Sequence, residues 1–150
     1  MKLVRDIVVG QDVITVHQQT SVTDAARVMA SRGIGAVPVA EGDRVVGIFT
    51  ERDALNRVLA SSLDPATTPI GDVMTTVLVV ANARETCAAC LDRMRDTRVR
   101  HLIVLDDERM VGVVSMRDLL AVDLDEKVDT ITFLNAYVHD VPPDLANRRP

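Results

Sequence analysis

Two short segments of the chain combine side chains that could bind a small ligand. The same order of residue types occurs twice, as Thr50-Glu51-Arg52-Asp53 and as Ser115-Met116-Arg117-Asp118. An ionised carboxylate accepts several hydrogen bonds at once, so an Asp at a helix start can hold the vicinal diol of a ribose. The N-terminus of a helix and the planar fork of an arginine both favour phosphate. The two segments therefore could each hold a nucleotide.

The same two segments also have the form of helix caps. A hydroxyl followed three residues later by a carboxylate is a capping box, which stabilises a helix in any protein. One copy alone favours the capping interpretation. Each copy, however, follows a glycine placed three residues before the hydroxyl (Gly47 and Gly112) and carries an arginine that a cap does not require. The repetition therefore favours binding, while Arg52 and Arg117 taken singly could be solvated residues of the first helical turn.

The repetition extends along most of the chain. Without a gap, residues 47–55 align with residues 112–120, and Met29, Val39 and Arg44 align with Met94, Val104 and Arg109. A repeated segment of this length indicates one supersecondary unit used twice. Hydrophobic periodicity predicts the order strand, helix, strand, strand, helix in each copy.

Particular segments are assigned to that order. In the first copy we expect strands at 13–16, 36–39 and 44–49, a helix that starts at 21–24 and ends at Gly33, and a helix from Thr50 to about Ala60. The corresponding strands of the second copy are 78–81, 101–105 and 110–115, with a helix through Cys87 and Met94 and another from Met116. The partly amphipathic stretch 128–139 predicts an extra helix, followed by a loose tail.

Cys87 and Cys90 could suggest metal or redox chemistry. Their spacing places both sulfurs on one helical face, but structural zinc needs four ligands, and the sequence has no second cysteine pair. In the repeat they take the positions of Val22 and Ala25, so we expect both to lie in the core. Two cysteines are also too few for a disulfide framework, which favours a reducing compartment.

Composition limits the function classes. The 150 residues fit one domain or two very small ones, and the net charge of −5 with a pI near 5.1 disfavours nucleic-acid binding. One Tyr, two Phe and no Trp offer few surfaces for base stacking. The charged start of the chain lacks the apolar core of a signal peptide, and no stretch is long enough to span a bilayer. We therefore expect a cytoplasmic protein that binds neither nucleic acid nor membrane.

The chain resembles the tandem CBS (cystathionine-β-synthase) domain pair, or Bateman module, of small stand-alone bacterial proteins. The resemblance covers residues 1 to about 123. It rests on Gly71-Asp72-Val73-Met74, on residues 34–39 and 99–104, and on the two Gly-x-x-Thr/Ser-x-x-Asp segments. It implies an α/β (α+β) fold in which two β-α-β-β-α repeats pack as a pseudo-two-fold pair, here with a C-terminal helix. The domains implied are a first CBS domain at 1–60 and a second at 71–123. A linker at 61–70 joins them, and a C-terminal helix and tail follow at 124–150.

The resemblance also implies a function. CBS pairs hold AMP, ADP or ATP, and sometimes S-adenosylmethionine, in clefts between the repeats, and they regulate a partner without catalysis of their own. The implied ligand-binding residues are Thr50, Arg52, Asp53, Ser115, Arg117, Asp118, Arg100, His101, Ala36 and Pro38. Arg100 and His101 could contact phosphate, although an exposed basic run explains them equally well. A homodimer is expected, because one repeat is too small to cover both faces of its sheet.

Two other functions stay open at this point. The pockets could remain empty in an interaction scaffold whose Thr/Ser-x-x-Asp segments are only caps, and the ligand could be S-adenosylmethionine or NAD(H). An enzyme of unfamiliar type is the third alternative. No nucleophile elbow, Walker loop, Rossmann fingerprint or HExxH motif is present. The sequence thus predicts no catalytic cofactor and no metal, and it does not identify the regulated partner.

Overall fold

Each copy of the repeat forms a small sheet with helices packed against it in the computed structural model, which describes residues 1–139. The helices are α1 (Val4–Val8), α2 (Val22–Arg32), α3 (Glu51–Asp53, continued by a π-helical segment, Ala54–Leu59), α4 (Cys87–Thr97) and α5 (Met116–His139). The strands are β1 (Ala36–Glu41), β2 (Arg44–Thr50), β3 (Val80–Asn82), β4 (His101–Asp106) and β5 (Arg109–Ser115). A short 3₁₀ helix covers Ile70–Asp72. The mixed α/β fold predicted from the sequence is confirmed.

The two hairpins of the repeats are built alike. β1 and β2 are antiparallel with Val39 opposite Gly47, and β4 and β5 are antiparallel with Val104 opposite Gly112. Each hairpin has a register shift directly after that pair. The two glycines face crowded positions, since a Cβ on Gly47 would lie 2.5 Å from the Met74 sulfur. The 65-residue repeat of the sequence is therefore a repeat of the backbone.

The expected first strand of copy one is not formed. Within residues 13–16 only Val16 makes a parallel bridge, to Val39, through bonds to the Pro38 carbonyl and the Ala40 amide. The first sheet therefore has two strands, whereas the second has three in the order β3-β4-β5. The strand predicted at 78–81 is displaced to Val80–Asn82. Val13 and Ile14 make no ladder and line a cleft between the repeats.

Helix starts and ends follow the sequence signals. The Ser21 hydroxyl accepts a hydrogen bond from the Asp24 amide at 3.1 Å, which caps α2. Gly33 ends α2 with a φ of 61°, in the left-handed region that glycine adopts at low cost. Arg98 ends α4 at the equivalent position with a φ of 55°. A side chain is thus held in the left-handed region in the second repeat, where the first has a glycine.

Each of the two hydrophobic cores contains residues from both halves of the chain. One core joins α4, β4 and β5 and includes Val4 and Val8 of α1, although α1 precedes the first repeat. The other core joins α2, β1 and β2 and includes Ile70 and Val73, which precede the second repeat. Each repeat is therefore completed by the segment that leads into the other one. The division of the chain at 60, 70 and 123 stays a prediction.

The repeats meet along a smaller apolar cluster. Ala36, Ile48 and Ile103 are buried together there, and partly buried side chains surround them. Ile48 also exchanges two backbone hydrogen bonds with Thr75, both at 2.9 Å. This contact places the ends of β2 and β5 beside the opposite repeat, which is where clefts open between the two halves.

The end of the described chain differs from the expectation of two helices. α5 runs without a break from Met116 to His139, so the extra helix expected at 128–139 continues the helix expected from Met116. The boundary predicted at residue 123 lies inside it. The predicted tail with Pro142 and Pro143 lies outside the described residues. Within residues 1–139, no helix has the length and apolar character needed to cross a membrane.

Candidate functional site

Two clefts lie between the repeats, and they differ in size. The larger has a volume of about 530 Å³ and the smaller about 110 Å³. Ligand pockets commonly measure about 300–1,000 Å³, so only the larger falls within that range. The larger cleft takes Ser115, Arg117 and Asp118 from the start of α5. The smaller takes Thr50, Arg52 and Asp53 from the start of α3.

Asp118 presents a carboxylate to the larger cleft. Its Oδ2 accepts hydrogen bonds from the Ser115 amide at 2.8 Å and the Ser115 hydroxyl at 2.7 Å, and the Ser115 hydroxyl in turn accepts one from the Asp118 amide. This is the capping box expected from the sequence. The other oxygen, Oδ1, has no hydrogen-bond partner within residues 1–139, and the side chain is exposed. The cap therefore leaves one carboxylate oxygen able to accept hydrogen bonds from a ligand.

Asp53 has the same local arrangement but a different environment. The Thr50 amide and hydroxyl form the equivalent capping box, with bonds of 3.0 and 3.1 Å. The Thr75 hydroxyl also donates to the Asp53 carboxylate, 3.0 Å from Oδ1, and the Arg57 Nε lies 3.8 Å from the same oxygen. Asp53 is 6% exposed. Its carboxylate is thus engaged inside the protein.

The difference between the two acids arises outside their motifs. In the 65-residue register, Thr75 corresponds to Gly10 and Arg57 to Val122. Gly10 has no hydroxyl to donate, and Val122 has no charge. Arg57 is further fixed by hydrogen bonds to the Val73 and Met74 carbonyls at 3.2 and 2.7 Å. Asp53 therefore joins the first repeat to the segment 73–75 at the start of the second, while Asp118 lacks both of these partners.

Three arginines line the larger cleft. Arg100 and Arg117 make no side-chain hydrogen bond or ion pair within the described part of the chain. Arg32, at the end of α2, donates from Nη1 to the Asp12 carboxylate at 2.9 Å. In the smaller cleft, Arg52 is occupied differently, because its Nη1 donates to the Arg98 carbonyl at 3.1 Å. The larger cleft is thus lined by Arg100 and Arg117, with guanidinium groups that are free within residues 1–139, and the smaller one by Arg98 and the shared Arg100.

His101 lies between the clefts and lines both of them. Burial lowers its pKa below the ordinary value of 6.5, and the nearby Arg100 lowers it further, against smaller opposing effects of Glu51 and Asp118. A Cβ on Gly35 would lie 3.2 Å from a Glu51 carboxylate oxygen and 3.4 Å from His101 Nε2. The glycine thus leaves room for an acid and an imidazole at the floor of the cleft.

The structure distributes the ten predicted site residues over the two clefts. The larger cleft receives seven of them: Ser115, Arg117, Asp118, Arg100, His101, Ala36 and Pro38. The smaller cleft receives Thr50, Arg52 and Asp53, and it shares Arg100 and His101. Ile103 stands in the smaller cleft where Pro38 stands in the larger one. Their roles in binding stay a prediction.

Several lining residues of the larger cleft were not predicted. They are Gln11, Asp12, Val13, Ile14, Arg32, Gly33, Ile34, Gly35, Glu51, Val113 and Met116. The 65-residue register could have indicated Val13 and Ile14, because they align with Leu78 and Val79 of the smaller cleft. Asp12 aligns with Val77, which also lines the smaller cleft, whereas Arg32 aligns with Thr97, which does not, so the repeat offers no signal for Arg32.

Cys87 and Cys90 lie in the core, as the repeat predicted. They are 5% and 0% exposed, on the inner face of α4. Burial raises the pKa of both thiols, that of Cys90 to about 11. Since the thiolate is the reactive form, both cysteines are poor nucleophiles at neutral pH.

Comparison with known proteins agrees with this architecture. A sequence model of the CBS domain matches residues 4–60 and again residues 70–125. The CBS domain-containing protein YhcV of Bacillus subtilis (strain 168) is 33% identical over 119 residues, which cover 79% of this chain and 84% of that protein. The mitochondrial CBS domain-containing protein CBSX3 of Arabidopsis thaliana is 31% identical over 123 residues. That match covers 79% of this chain but only 60% of the Arabidopsis protein.

A solved structure has the same fold. It is a CBS domain pair in complex with 5′-methylthioadenosine and S-adenosyl-L-methionine, with a TM-score of 0.74 and 26% identity. The similarity covers 84% of this chain and 98% of the other. The two family matches, the relatives and the repeated architecture agree, and the chain belongs to the CBS domain family, with two copies of the domain.

Proposed function

We propose that this CBS pair is a regulatory module that binds one adenosine nucleotide, AMP, ADP or ATP, in its larger cleft and signals to a partner without chemistry of its own. The carrying observation is the Asp118 carboxylate, which is held by Ser115 through Oδ2 and is open at Oδ1. A ribose diol needs such an acceptor. The cap fixes the carboxylate before the ligand arrives, so little side-chain freedom is lost on binding.

The walls of the cleft suit the rest of the ligand. Val13, Ile14, Pro38 and Val113 supply apolar contact for an adenine ring, although none of them is aromatic. Aliphatic side chains contribute dispersion and exclude water from a bound base. This mixture of apolar walls and a few polar groups is typical of small-molecule sites.

A phosphate-bearing ligand is favoured over S-adenosylmethionine by the basic side chains. Arg100 and Arg117 have no carboxylate partner within residues 1–139, and each could donate two hydrogen bonds to a phosphoryl group. S-adenosylmethionine offers these arginines a single carboxylate and also carries a positive sulfonium, so it gains less from them than a phosphate does. It remains an alternative ligand, because a CBS pair of the same fold is solved with S-adenosyl-L-methionine and 5′-methylthioadenosine, neither of which has a phosphate. NAD(H), which carries a diphosphate, is the other alternative.

We propose one occupied site in each chain. The smaller cleft, at about 110 Å³, lies below the volume range of small-molecule sites. A ribose there would also have to displace the Thr75 hydroxyl and compete with Arg57 for Asp53. Removing a hydrogen bond from a buried carboxylate costs about 1.5–3 kcal/mol, which a ligand would first have to compensate.

The proposed partner contact includes a second copy of the chain. Exposed leucines recur in the 65-residue register, with Leu55 and Leu59 on the first repeat and Leu120 and Leu124 on the second. Each pair is spaced four residues apart, which places it on one helical face. Large apolar residues at equivalent exposed positions of both repeats support a homodimer.

The two buried free thiols also fit a reducing compartment such as the cytoplasm.

Calorimetry with AMP, ADP, ATP, adenosine, NAD(H) and S-adenosylmethionine tests the binding proposal. We expect one site per chain for an adenosine nucleotide. Asp118→Asn should weaken binding about tenfold or more, because hydrogen bonds to a charged acceptor are lost. Asp125→Asn makes the same charge change on the same helix outside the cleft and should leave the affinity unchanged. The 2′-deoxy nucleotide should lose affinity for the wild type but not for Asp118→Asn.

Two outcomes would count against the proposal. If no adenosine compound binds, the ligand-free scaffold is the better interpretation. If binding survives Asp118→Asn undiminished, the ribose is held elsewhere. Turnover of any compound in the panel would instead indicate an enzyme.

A further inference from the structure

The larger cleft contains an ion pair that the smaller one lacks. Arg32 Nη1 donates to Asp12 Oδ2 at 2.9 Å, and both residues line the cleft. Their equivalents in the repeat, Thr97 and Val77, carry no charge. The pair is therefore specific to the cleft that has the volume and the open carboxylate for a ligand.

The pair also lies where it can exchange partners. Arg32 is 50% exposed and Asp12 is 78% exposed, and the two belong to separate elements, the end of α2 and the segment before Val13. An exposed ion pair contributes little to stability, so it is readily exchanged. A phosphoryl group with two negative charges competes effectively for such an arginine, since it offers more charge and bidentate geometry.

Asp12 acts on the cleft in two ways while it stays paired. It neutralises Arg32, and it adds a negative charge to those of Glu51 and Asp118. Once a phosphate takes Arg32, the Asp12 carboxylate loses its partner and repels the phosphate beside it. The repulsion grows with the number of phosphates, and a neutral nucleoside does not experience it.

We infer that the Asp12–Arg32 pair is a charge selector of the larger cleft, in which Asp12 holds Arg32 and thereby limits the affinity for polyphosphates relative to monophosphates and the nucleoside. The inference rests on the proposed nucleotide site. It makes Asp12 and Arg32 specificity-determining residues that act on the phosphate end of the ligand and not on its ribose.

Calorimetry on four proteins tests the selector: wild type, Asp12→Asn, Arg32→Gln and the double variant, each with adenosine, AMP and ATP. Asp12→Asn should tighten ATP about two- to fivefold, the range expected for one charge interaction open to solvent, and AMP by less. Adenosine should bind equally to all four proteins. Arg32→Gln should weaken ATP, and Asp12→Asn should tighten ATP less in that background than in the wild type, because only the direct repulsion by Asp12 is left to remove. Asp43→Asn, in the exposed turn between β1 and β2, controls for net charge.

Inorganic tripolyphosphate separates this inference from the nucleotide proposal, because it carries the charge without the nucleoside. If adenosine binds to no variant but Asp12→Asn tightens the binding of tripolyphosphate, the result supports the charge selector and contradicts the nucleotide site. If adenosine binds and ATP affinity is the same in wild type and Asp12→Asn, the selector is overturned and the nucleotide site stands. An equal gain from Asp12→Asn with and without Arg32 also overturns it. If no protein binds any of the compounds, both are wrong.

Discussion

Thr75, near the start of the second repeat, donates its hydroxyl hydrogen to the Asp53 carboxylate of the first repeat, at 3.0 Å from Oδ1. The bond satisfies a buried charge and holds the Ile70–Met74 segment against β2, where Thr75 and Ile48 also exchange backbone hydrogen bonds. A residue with the form of a ligand-binding aspartate thereby becomes part of the folded framework.

Thr75→Ala should accordingly destabilise the protein. The Asp53 carboxylate would remain buried with one donor fewer, which costs about 1–3 kcal/mol. Thr76→Ala is the matched control, because Thr76 is exposed and its side chain makes no hydrogen bond within residues 1–139. Urea unfolding should show a lower midpoint for Thr75→Ala and a nearly unchanged one for Thr76→Ala. Equal midpoints for wild type and Thr75→Ala would show that the bond contributes nothing.

The contrast between Asp53 and Asp118 marks the limit of what the sequence predicts here. Both acids occur in the same local motif, and the capping boxes that the motif predicts are present in both repeats. Two differences distinguish them. Arg57, four residues after Asp53, corresponds to Val122 and is within reach of a sequence argument, whereas Thr75 donates to Asp53 from 22 residues further along the chain. Nothing in the motif indicates that one carboxylate is enclosed and the other open.

Secondary structure was predictable where short-range signals dominate. Gly33 ends α2, and the core positions of Cys87 and Cys90 follow from helical spacing and the repeat. The strand expected at 13–16 shows the opposite case: its β-branched residues favour a strand, yet only Val16 makes a bridge, so local preference does not decide the pairing of this segment. The contribution of α1 to the core of the second repeat is likewise a long-range effect.

The pH dependence of stability should report the environment of His101. Its folded-state pKa is lowered, chiefly by burial, so the unfolded chain takes up the proton more readily. The folded state therefore loses stability as the pH falls from about 6.5 toward the lower folded pKa, and the loss is complete below both values. His101→Gln should remove this part of the profile, measured by urea unfolding between pH 8 and pH 5 at intervals of about half a unit.

A substitution at the exposed His17 provides the control for that measurement. His17→Gln should keep the slope of the wild type, because His17 lies outside both clefts. If the wild type and His101→Gln show parallel profiles over the whole range, the lowered pKa of His101 is contradicted.

Substitutions at the two helix ends, Gly33 and Arg98, should change the stability of the protein in opposite directions. Gly33→Ala places a Cβ in the left-handed region and should cost about 1 kcal/mol, without a clash, since the space around it is open. Arg98→Gly relieves the same strain and should stabilise the protein by about 0.5–1 kcal/mol. Arg98→Ala separates the effect of the backbone conformation from that of the side chain, because it keeps a Cβ in the left-handed region and removes the rest of the side chain. If Arg98→Ala stabilises as much as Arg98→Gly, the backbone conformation is not the cause.

The exposed apolar face of α5 should be an interface between two copies of the chain. Leu124 is 61% exposed, and Val128, Ile131 and Leu134 continue its face along a helix that is exposed from Asp129 to Val138. The exposed end of α5 at 129–138 is short, and short helices without packing partners are marginal in water. A partner surface is therefore needed to stabilise this end of the helix. We expect a dimer for the wild type by light scattering at micromolar concentration and a monomer for Leu124→Glu, because the introduced charge would be buried.

Two further variants define the extent of that interface. Ile131→Glu should also dissociate the dimer if the contact extends along the far half of α5, and it should leave the dimer intact if only the repeated leucines near the two domains are used. Phe133→Glu places the same charge on the opposite side of the helix and should leave the dimer unchanged. At concentrations low enough for every protein to be monomeric, all variants should have the same unfolding midpoint as the wild type, since none of these side chains lies in the core. A wild type that is monomeric at these concentrations, or a Leu124→Glu variant that stays dimeric, would contradict the assignment of this face.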